Sequence, residues 1–239
     1  MKIKRLILIS AVIIVLTNTS LINSQRIDLN KQESTIVLLV GFGPFLNHPV
    51  NPSELIATEL DGEIINNAEI IGLQVQPNLN NFTESIEIFY QAIEDYNPDY
   101  VFSIGLAAPF DNIRIEKIGY NLKIENKENA KLERLIPNGR WLRISPFPAL
   151  RIVKELRKEG IPSQISFYPG LSLCNGVLYS VLHYIDINDL TIKSGFIHVP
   201  LHKSEEDPEG MELQTMINAT RIIIKVCLDF FSLFKNDLK

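Results

Sequence analysis

Short apolar runs suited to β-strands alternate along this chain with segments of helical periodicity. In the first run, residues 36–40, consecutive positions are apolar, which is typical of a strand covered by helices on both faces. Segments beginning at Pro52 and Phe82 instead repeat apolar residues every three or four positions, the period of a helix with one buried face. The alternation predicts an α/β fold, a single three-layer α/β/α domain with a mostly parallel, twisted sheet.

The same alternation continues to the end of the chain. It predicts further strands at residues 70–75, 100–105, 113–118, 164–168 and 195–199, and further helices at residues 148–159, 176–185 and 211–231. Asn51 and Asn81 each stand directly before a predicted helix with a glutamate three residues later, as helix caps often do. The charged stretch at residues 123–140 predicts a long loop. Since no linker or repeat interrupts the pattern, residues 31–239 are expected to form one domain.

The charge and the cysteine content argue against several classes of function. The 239 residues include 23 Lys and Arg against 28 Asp and Glu, whereas a nucleic-acid-binding protein needs clustered positive charge. The two cysteines, Cys174 and Cys227, are too few for a disulfide framework. Cysteine and histidine are scattered rather than set at ligand spacing, so we expect neither a metal centre nor another cofactor.

The N-terminus differs in character from the rest of the chain. Three basic residues among the first five precede an apolar run at residues 6–16, which a polar stretch follows. This order is typical of a signal peptide, and the run is shorter than the ~20 residues of a membrane-spanning helix. We therefore expect residues 1–30 to lie outside the fold and to direct export, with membrane contact only through an uncleaved segment. A cytoplasmic protein is the alternative.

Cys174 follows a predicted strand and stands just before a predicted helix. Reactive groups of α/β proteins lie in loops at the carboxyl ends of strands. The positive end of a helix lowers the pKa of a thiol and offers free backbone N–H groups to an anion, and a cysteine nucleophile needs both. The alternative interpretation is a small buried apolar residue. Cys227 falls on the apolar face of the last predicted helix and is interpreted as core.

His198 and Glu116 are the candidate partners of this thiol. His198 closes the predicted strand at residues 195–199, where an imidazole can face a cleft and act as a base toward Cys174. A partly buried structural histidine is the alternative. Glu116 shares a strand face with Arg114, so it either forms an ion pair with that arginine or orients the histidine, as the third member of a triad does.

Two phenylalanines lie directly after the first predicted strand. The segment Gly41-Phe42-Gly43-Pro44-Phe45 lacks the glycine spacing and the lysine of a phosphate-binding loop. Phe42 and Phe45 instead suggest an aromatic slot for a flat, apolar ring, with packing in the core as the alternative.

Taken in order, these segments resemble the pyroglutamyl peptidase I family, also called pyrrolidone carboxyl peptidases. The resemblance extends over residues 36–228, nearly the whole chain after the signal-like segment. Its most specific part is the Cys-Asn pair at 174–175 after a Pro-Gly turn, together with Gly-Phe-Ile-His-Val-Pro at 195–200. The other matching segments are Gly41 to Phe45, Asn51-Pro52-Ser53, Pro98-Asp99-Tyr100 leading to Gly105, Ile115-Glu116-Lys117-Ile118 with Asn121, and Gly160-Ile161-Pro162.

The resemblance implies an open α/β/α fold and a cysteine peptidase that removes an N-terminal pyroglutamyl residue from peptides. The catalytic Cys, His and Glu of the family fall on Cys174, His198 and Glu116, and its ring-packing phenylalanines fall on Phe42 and Phe45. The thiolate would attack the pyroglutamyl carbonyl, the histidine would transfer the proton to the leaving amine, and the glutamate would orient the imidazole. A homo-oligomer, either a dimer or a tetramer, is also implied.

Some positions depart from the pattern of the family. Leu46 and Asn47 replace a Gly-Gly pair, and Leu106 replaces a glutamine. The family's arginine near the oxyanion has a loose counterpart in Arg134, which is therefore a candidate substrate-binding residue. These differences bear on specificity more than on fold. Besides the peptidase, two alternatives stay open: a non-catalytic protein that binds pyroglutamyl peptides outside the cytoplasm, and an amidase that acts on another lactam.

Overall fold

The computed structural model describes residues 34–78, 81–124, 131–204 and 207–235. The predicted signal segment, residues 1–30, lies outside the described residues. None of the described helices is long and apolar enough to span a membrane.

The helices are α1 (Pro52–Leu60), α2 (Phe82–Tyr96), α3 (Ala149–Lys158), α4 (Leu173–Ile187) and α5 (Leu213–Lys235). The strands are β1 (Thr35–Phe42), β2 (Ile64–Ile65), β3 (Ala68–Val75), β4 (Tyr100–Leu106), β5 (Ile113–Glu116), β6 (Ile118–Tyr120), β7 (Lys123–Ile124), β8 (Leu132–Glu133), β9 (Leu142–Ile144), β10 (Ser163–Ser166) and β11 (Lys193–Val199).

A central sheet has its strands in the order β10-β5-β11-β4-β1-β3-β2. Strands β3, β1, β4 and β11 pair in parallel, and β5 pairs in parallel with β10. The direction reverses between β11 and β5 and between β3 and β2. The predicted mostly parallel sheet is confirmed. The reversal at β5 places Arg114 directly opposite His198, and Glu116 opposite Phe196.

Successive residues of β1 belong to different hydrophobic cores, so helices cover both faces of the sheet. Val37 and Leu39 pack in the core that contains residues of α1, α3 and α5. Leu38 and Val40 pack in the core that contains residues of α2 and α4. All four side chains are fully buried. The three-layer α/β/α architecture predicted from the sequence is confirmed.

The predicted strand at residues 113–118 is wrong in its extent. Strand β5 ends at Glu116, while β6 begins at Ile118 and pairs with β9 in a separate two-stranded sheet. Between them, the N–H of Lys117 donates to the carbonyl of Ser166 at 2.8 Å. The alternation of apolar and polar residues fails here, because Glu116 and Lys117 are both polar, but such an irregularity does not by itself show that the backbone changes partners.

The predicted loop at residues 123–140 is wrong in part. Strands β7 and β8 lie within it and pair antiparallel, with Lys123 opposite Glu133. Residues 125–130, between these strands, lie outside the described residues. Strands of two residues are too short to produce a recognisable period in a sequence.

Three helix starts can be compared with those predicted from the sequence. Asn51 caps α1 as predicted, since its Oδ1 accepts a hydrogen bond from the N–H of Ser53 at 3.1 Å. The side chain of Asn81, by contrast, makes no capping hydrogen bond to α2. Helix α4 begins at Leu173, earlier than the predicted start at residue 176. Cys174 therefore lies in the first turn of the helix rather than in the loop before it.

Candidate active site

A cavity of about 330 Å³ opens at the carboxyl ends of β4 and β11. Cys174, His198 and Glu116 all line it, together with Phe42 and Phe45. The structure thus brings together five of the six candidate residues identified in the sequence.

Cys174 is partly exposed, and its Sγ lies close to Gly105 of β4. The first N–H groups of a helix have no partner within the helix, so the first turn of α4 presents donors to an anion beside this thiol. Gly105 permits the close approach. A Cβ atom at that position would lie 3.4 Å from Sγ of Cys174 and 2.8 Å from the ring of Phe196, so any side chain there would displace its neighbours.

Asn175 holds the start of α4 in place. Its side chain is fully buried, and its Nδ2 donates to the carbonyls of Tyr120 at 2.9 Å and Leu122 at 2.8 Å. Its Oδ1 accepts from the N–H of Tyr120 at 2.8 Å. Sequence analysis gave this residue no role of its own. The available signal was weak, because an asparagine near a helix start more often caps the helix.

His198 and Glu116 form a buried hydrogen-bonded pair. Nδ1 of His198 lies 2.9 Å from Oε1 of Glu116, and the two residues are 6% and 1% exposed. A carboxylate at Nδ1 makes that nitrogen the N–H donor and leaves Nε2 free to exchange a proton with a reactant. Cys174 lines the same cavity as this pair.

The pKa of His198 is raised to about 9. Burial has the largest single influence on this pKa and lowers it. Hydrogen bonding and negative charge at Cys174 and Glu116 together raise the pKa by more than burial lowers it. The imidazole therefore favours its protonated form beside the Cys174 side chain. A protonated imidazole next to a thiol can donate a proton and can stabilise a thiolate nucleophile.

Glu116 has both of the neighbours that the sequence suggested. Besides the short contact with His198, its Oε1 lies 3.9 Å from Nε of Arg114, within ion-pair range but beyond a hydrogen bond. Its Oε2 is buried and has no hydrogen-bond partner among the described residues. The contact with the histidine is thus the stronger of the two.

The two phenylalanines line the cavity in different ways. Phe42 is 4% exposed and packs in the core near Phe89 and Phe196, with ring centroids 6.0 and 6.3 Å away. Phe45 is partly exposed and lies near His48, with ring centroids 5.3 Å apart. Phe42 thus packs in the core and also lines the cavity, whereas Phe45 keeps an exposed surface. That the two rings form a slot for a flat ring stays a prediction.

Arg134 is not among the described residues that line this cavity. Its guanidinium lies 3.8 Å from the ring centroid of Trp141, and its Nη1 donates to the carbonyl of Pro137 at 2.6 Å. The role in substrate binding assigned to it stays a prediction. Within the described part of the chain, no three His, Cys, Asp or Glu side chains are grouped so as to hold a metal ion.

The sequence of this chain is similar to those of known peptidases. Residues 35–229 match the family model for pyroglutamyl peptidase. The pyrrolidone-carboxylate peptidase of Pyrococcus furiosus is 34% identical over 206 residues, which cover 81% of this chain and 98% of that protein. The corresponding protein of Thermococcus litoralis is 30% identical over 85% of this chain and 97% of its own length.

Solved structures show the same architecture. The crystal structure of pyroglutamyl peptidase I from Bacillus amyloliquefaciens matches with a TM-score of 0.73 at 28% identity, covering 81% of this chain and 96% of that one. A mutant pyrrolidone carboxyl peptidase from Pyrococcus furiosus also matches with a TM-score of 0.73, at 32% identity over 82% of this chain. Since the family model, the sequence relatives and the fold all agree, this chain belongs to the pyroglutamyl peptidase family of cysteine peptidases.

Proposed function

We propose that this protein hydrolyses the bond after an N-terminal pyroglutamyl residue, with Cys174 as nucleophile, His198 as proton carrier and Glu116 as the group that orients the imidazole. The main support is the hydrogen bond between His198 and Glu116 in a cavity that Cys174 also lines. A protein that only binds its ligand has no need of a buried carboxylate at Nδ1 of a histidine beside a thiol. The arrangement therefore favours the peptidase over the binding protein.

The reaction follows from the placement of these groups. The thiolate of Cys174 attacks the pyroglutamyl carbonyl carbon, and the oxygen that becomes negative is stabilised by N–H groups in the first turn of α4. The imidazolium of His198 then protonates the departing amine, and the C–N bond breaks to leave a thioester. In the second half, His198 takes a proton from water, the resulting hydroxide displaces the thiolate, and pyroglutamate leaves.

The walls of the cavity suit a small, flat acyl group. Phe42 and Phe45 provide aromatic surface, and Leu106 adds apolar surface at the end of β4. A volume of about 330 Å³ is at the lower end for ligand pockets, which fits a single five-membered ring better than a long side chain. Leu106 lines this cavity, whereas Leu46 and Asn47 line a neighbouring groove. Of these three departures, Leu106 is therefore the one we expect to alter acyl specificity.

Release of a chromophore from a pyroglutamyl amide tests the proposal directly. We expect hydrolysis by the untreated protein and its loss after alkylation with iodoacetamide. A prolyl amide is a matched control, because its ring lacks the lactam carbonyl, and it should not be cleaved. Absence of hydrolysis of the pyroglutamyl amide, with folded and unmodified protein, would contradict the proposal.

We also propose that residues 1–30 direct export of the domain that follows, residues 31–239. This proposal rests on the basic and apolar pattern of the N-terminus. Mass spectrometry of protein from the native cell would give a chain without this segment, recovered outside the cytoplasm. An intact N-terminus on cytoplasmic protein would contradict export.

Light scattering on the purified protein would test the expected dimer or tetramer.

A further inference from the structure

Arg114 lies at the mouth of the cavity, beside the proposed proton donor. It is directly opposite His198 in the register between β5 and β11, so both side chains are on the same face of the sheet. It lines the cavity, and its side chain is 15% exposed. Glu116, two residues later on β5 and opposite Phe196, lies deeper in the sheet than Arg114.

The guanidinium of Arg114 is held in a fixed orientation. Its central carbon lies 3.8 Å from the ring centroid of Phe110, which also lines the cavity. Its Nη2 donates to Oγ of Ser166 at 3.3 Å. This hydrogen bond uses one of the five N–H groups of an arginine, so others are available to a group that enters the cavity. A cation held on an aromatic ring loses little conformational entropy when it binds an anion.

The charges around the cavity show why a fixed cation matters there. Arg114 is the one Arg or Lys among the described residues that line the cavity. The Glu116 carboxylate lines the same cavity and repels an anionic substrate, and the positive charge of Arg114 offsets that repulsion. A neutral lactam ring needs no such cation, so the cation points to an anionic group elsewhere on the substrate.

The chemistry of the reaction locates that group. His198 protonates the leaving nitrogen, so this nitrogen lies beside His198, and the atoms after it lie toward the mouth where Arg114 stands. In a pyroglutamyl amino acid the free α-carboxylate is separated from this nitrogen by only one carbon. An arginine binds a carboxylate through two parallel N–H donors.

We propose that Arg114 binds the α-carboxylate of pyroglutamyl dipeptides, so that this protein prefers substrates whose chain ends directly after the scissile bond. This inference rests on the proposed function, because it concerns the leaving group of that same reaction. Arg114 is a specificity-determining residue in this view, not a carrier of protons.

Two substrates that differ in one charge test the proposal: pyroglutamyl-alanine and pyroglutamyl-alanine amide. We expect the wild-type protein to cleave the dipeptide with the higher kcat/KM. In Arg114→Gln, the ratio of kcat/KM between dipeptide and amide should fall by about 10- to 100-fold, the usual effect of losing a hydrogen bond between charged groups, and mainly through KM. Arg114→Lys, which keeps the charge but not the two parallel donors, should recover part of the ratio.

Arg151→Gln is the matched control, since Arg151 also lies over a phenylalanine, at 5.3 Å from Phe230, but outside the cavity. Its ratio should equal that of the wild type. Equal losses of kcat/KM on both substrates in Arg114→Gln would show that Arg114 acts through Glu116, and no loss on either substrate would show that it has no role in recognition. Either result would overturn the proposal.

A measurement on the wild type removes any dependence on how the variants fold. Raising the salt concentration from about 50 to about 500 mM should increase KM for the dipeptide and not for the amide, because salt screens the ion pair. The same KM response for both substrates would count against a carboxylate site.

If the wild type cleaves neither substrate, the proposed function itself is wrong and this inference falls with it. If it cleaves the amide without any preference for the acid, only the inference is wrong.

Discussion

Cys174 lies in the first turn of α4 and lines an open cavity, whereas Cys227 lies within α5 and is fully buried. Burial raises the pKa of the Cys227 thiol far above its ordinary value. Cys174 instead has a helix N-terminus and the imidazole of His198 beside it. One residue type thus occurs in this chain once as a candidate nucleophile and once as core.

A neighbouring cation alone does not account for this difference. Cys227 also has one, because the positive charge of Lys117 acts to lower its pKa, yet burial outweighs that effect. Burial lowers the pKa of Lys117 as well, and its Nζ donates to the carbonyls of Ser145 and Phe147. The comparison teaches that a nearby positive charge is not enough to make a thiol a nucleophile. The thiol also needs access to solvent and a partner able to exchange protons with it.

Exchanging each cysteine for alanine should give the largest contrast. Cys174→Ala is expected to lower kcat by at least about 10⁴-fold, because the nucleophile is lost, and to leave the melting temperature within about 2 °C of the wild type. Cys227→Ala should keep kcat within about twofold and lower the melting temperature by about 2–4 °C, since it removes a buried sulfur. Hydrolysis retained by Cys174→Ala, or lost in Cys227→Ala, would reverse the assignment of the two thiols.

Removing the partner of Cys174 should make that thiol behave more like Cys227. His198→Gln is expected to lower kcat/KM by about 10³-fold, because the same imidazole activates the thiol and protonates the leaving amine. The rate of alkylation by iodoacetamide at neutral pH should fall with it. Mapping the alkylated peptide by mass spectrometry checks the site. Label on Cys227, or an unchanged rate on Cys174, would show that His198 does not activate the thiol.

The same substitution should change how stability depends on pH. The pKa of His198 is raised from 6.5 to about 9 in the folded protein, so the folded state binds a proton there more tightly than the unfolded chain does. The resulting stabilisation is fully present below pH 6.5 and is lost as the pH rises toward about 9. Across this range the melting temperature of the wild type should therefore fall by a few degrees more than that of His198→Gln. Parallel curves would argue against the raised pKa.

A smaller effect is expected from the residue that orients the histidine. Glu116→Gln keeps the shape and the hydrogen-bond acceptor but removes the charge, so kcat should fall by about 10- to 100-fold with measurable residual activity. The pKa of His198 should fall too, which shifts the alkaline limb of the pH profile of kcat/KM to lower pH. An unchanged profile would mean that Glu116 serves structure alone.

The smallest expected effect concerns the wall of the Cys174 cavity. Phe45→Ala should raise KM for a pyroglutamyl amide by about 5- to 10-fold with little change in melting temperature, because Phe45 is partly exposed. Phe42→Ala is the comparison, and it should lose about 3–5 kcal/mol of folding free energy, since Phe42 is 4% exposed in the core. An unchanged KM with lost stability in Phe45→Ala would make that residue core as well.

Most strands and helices of this protein could be predicted from its sequence, while several boundaries could not. The long apolar run of β1 and the regular periods of α2 and α5 depend on many residues, so errors at single positions matter little. The division between β5 and β6 and the hairpin of β7 and β8 depend on pairing with segments that carry no local signal. The early start of α4 was missed for a similar reason, because Asn175 fixes it through contacts with Tyr120 and Leu122.

By itself the sequence determined the layers of this protein, because helical and strand periods set which faces are apolar. It also identified Cys174 as a candidate nucleophile, His198 as a candidate base and Glu116 as a candidate orienting carboxylate. Only the tertiary structure decided which of these groups meet. Glu116 and His198 are 82 residues apart and touch because β5 runs antiparallel to β11 in one particular register. The same register brings Arg114 to the mouth of the cavity. The hydrophobic pattern of a strand fixes which of its faces is buried, but it leaves open which distant strand it pairs with, and that follows from hydrogen bonds and packing across the whole sheet.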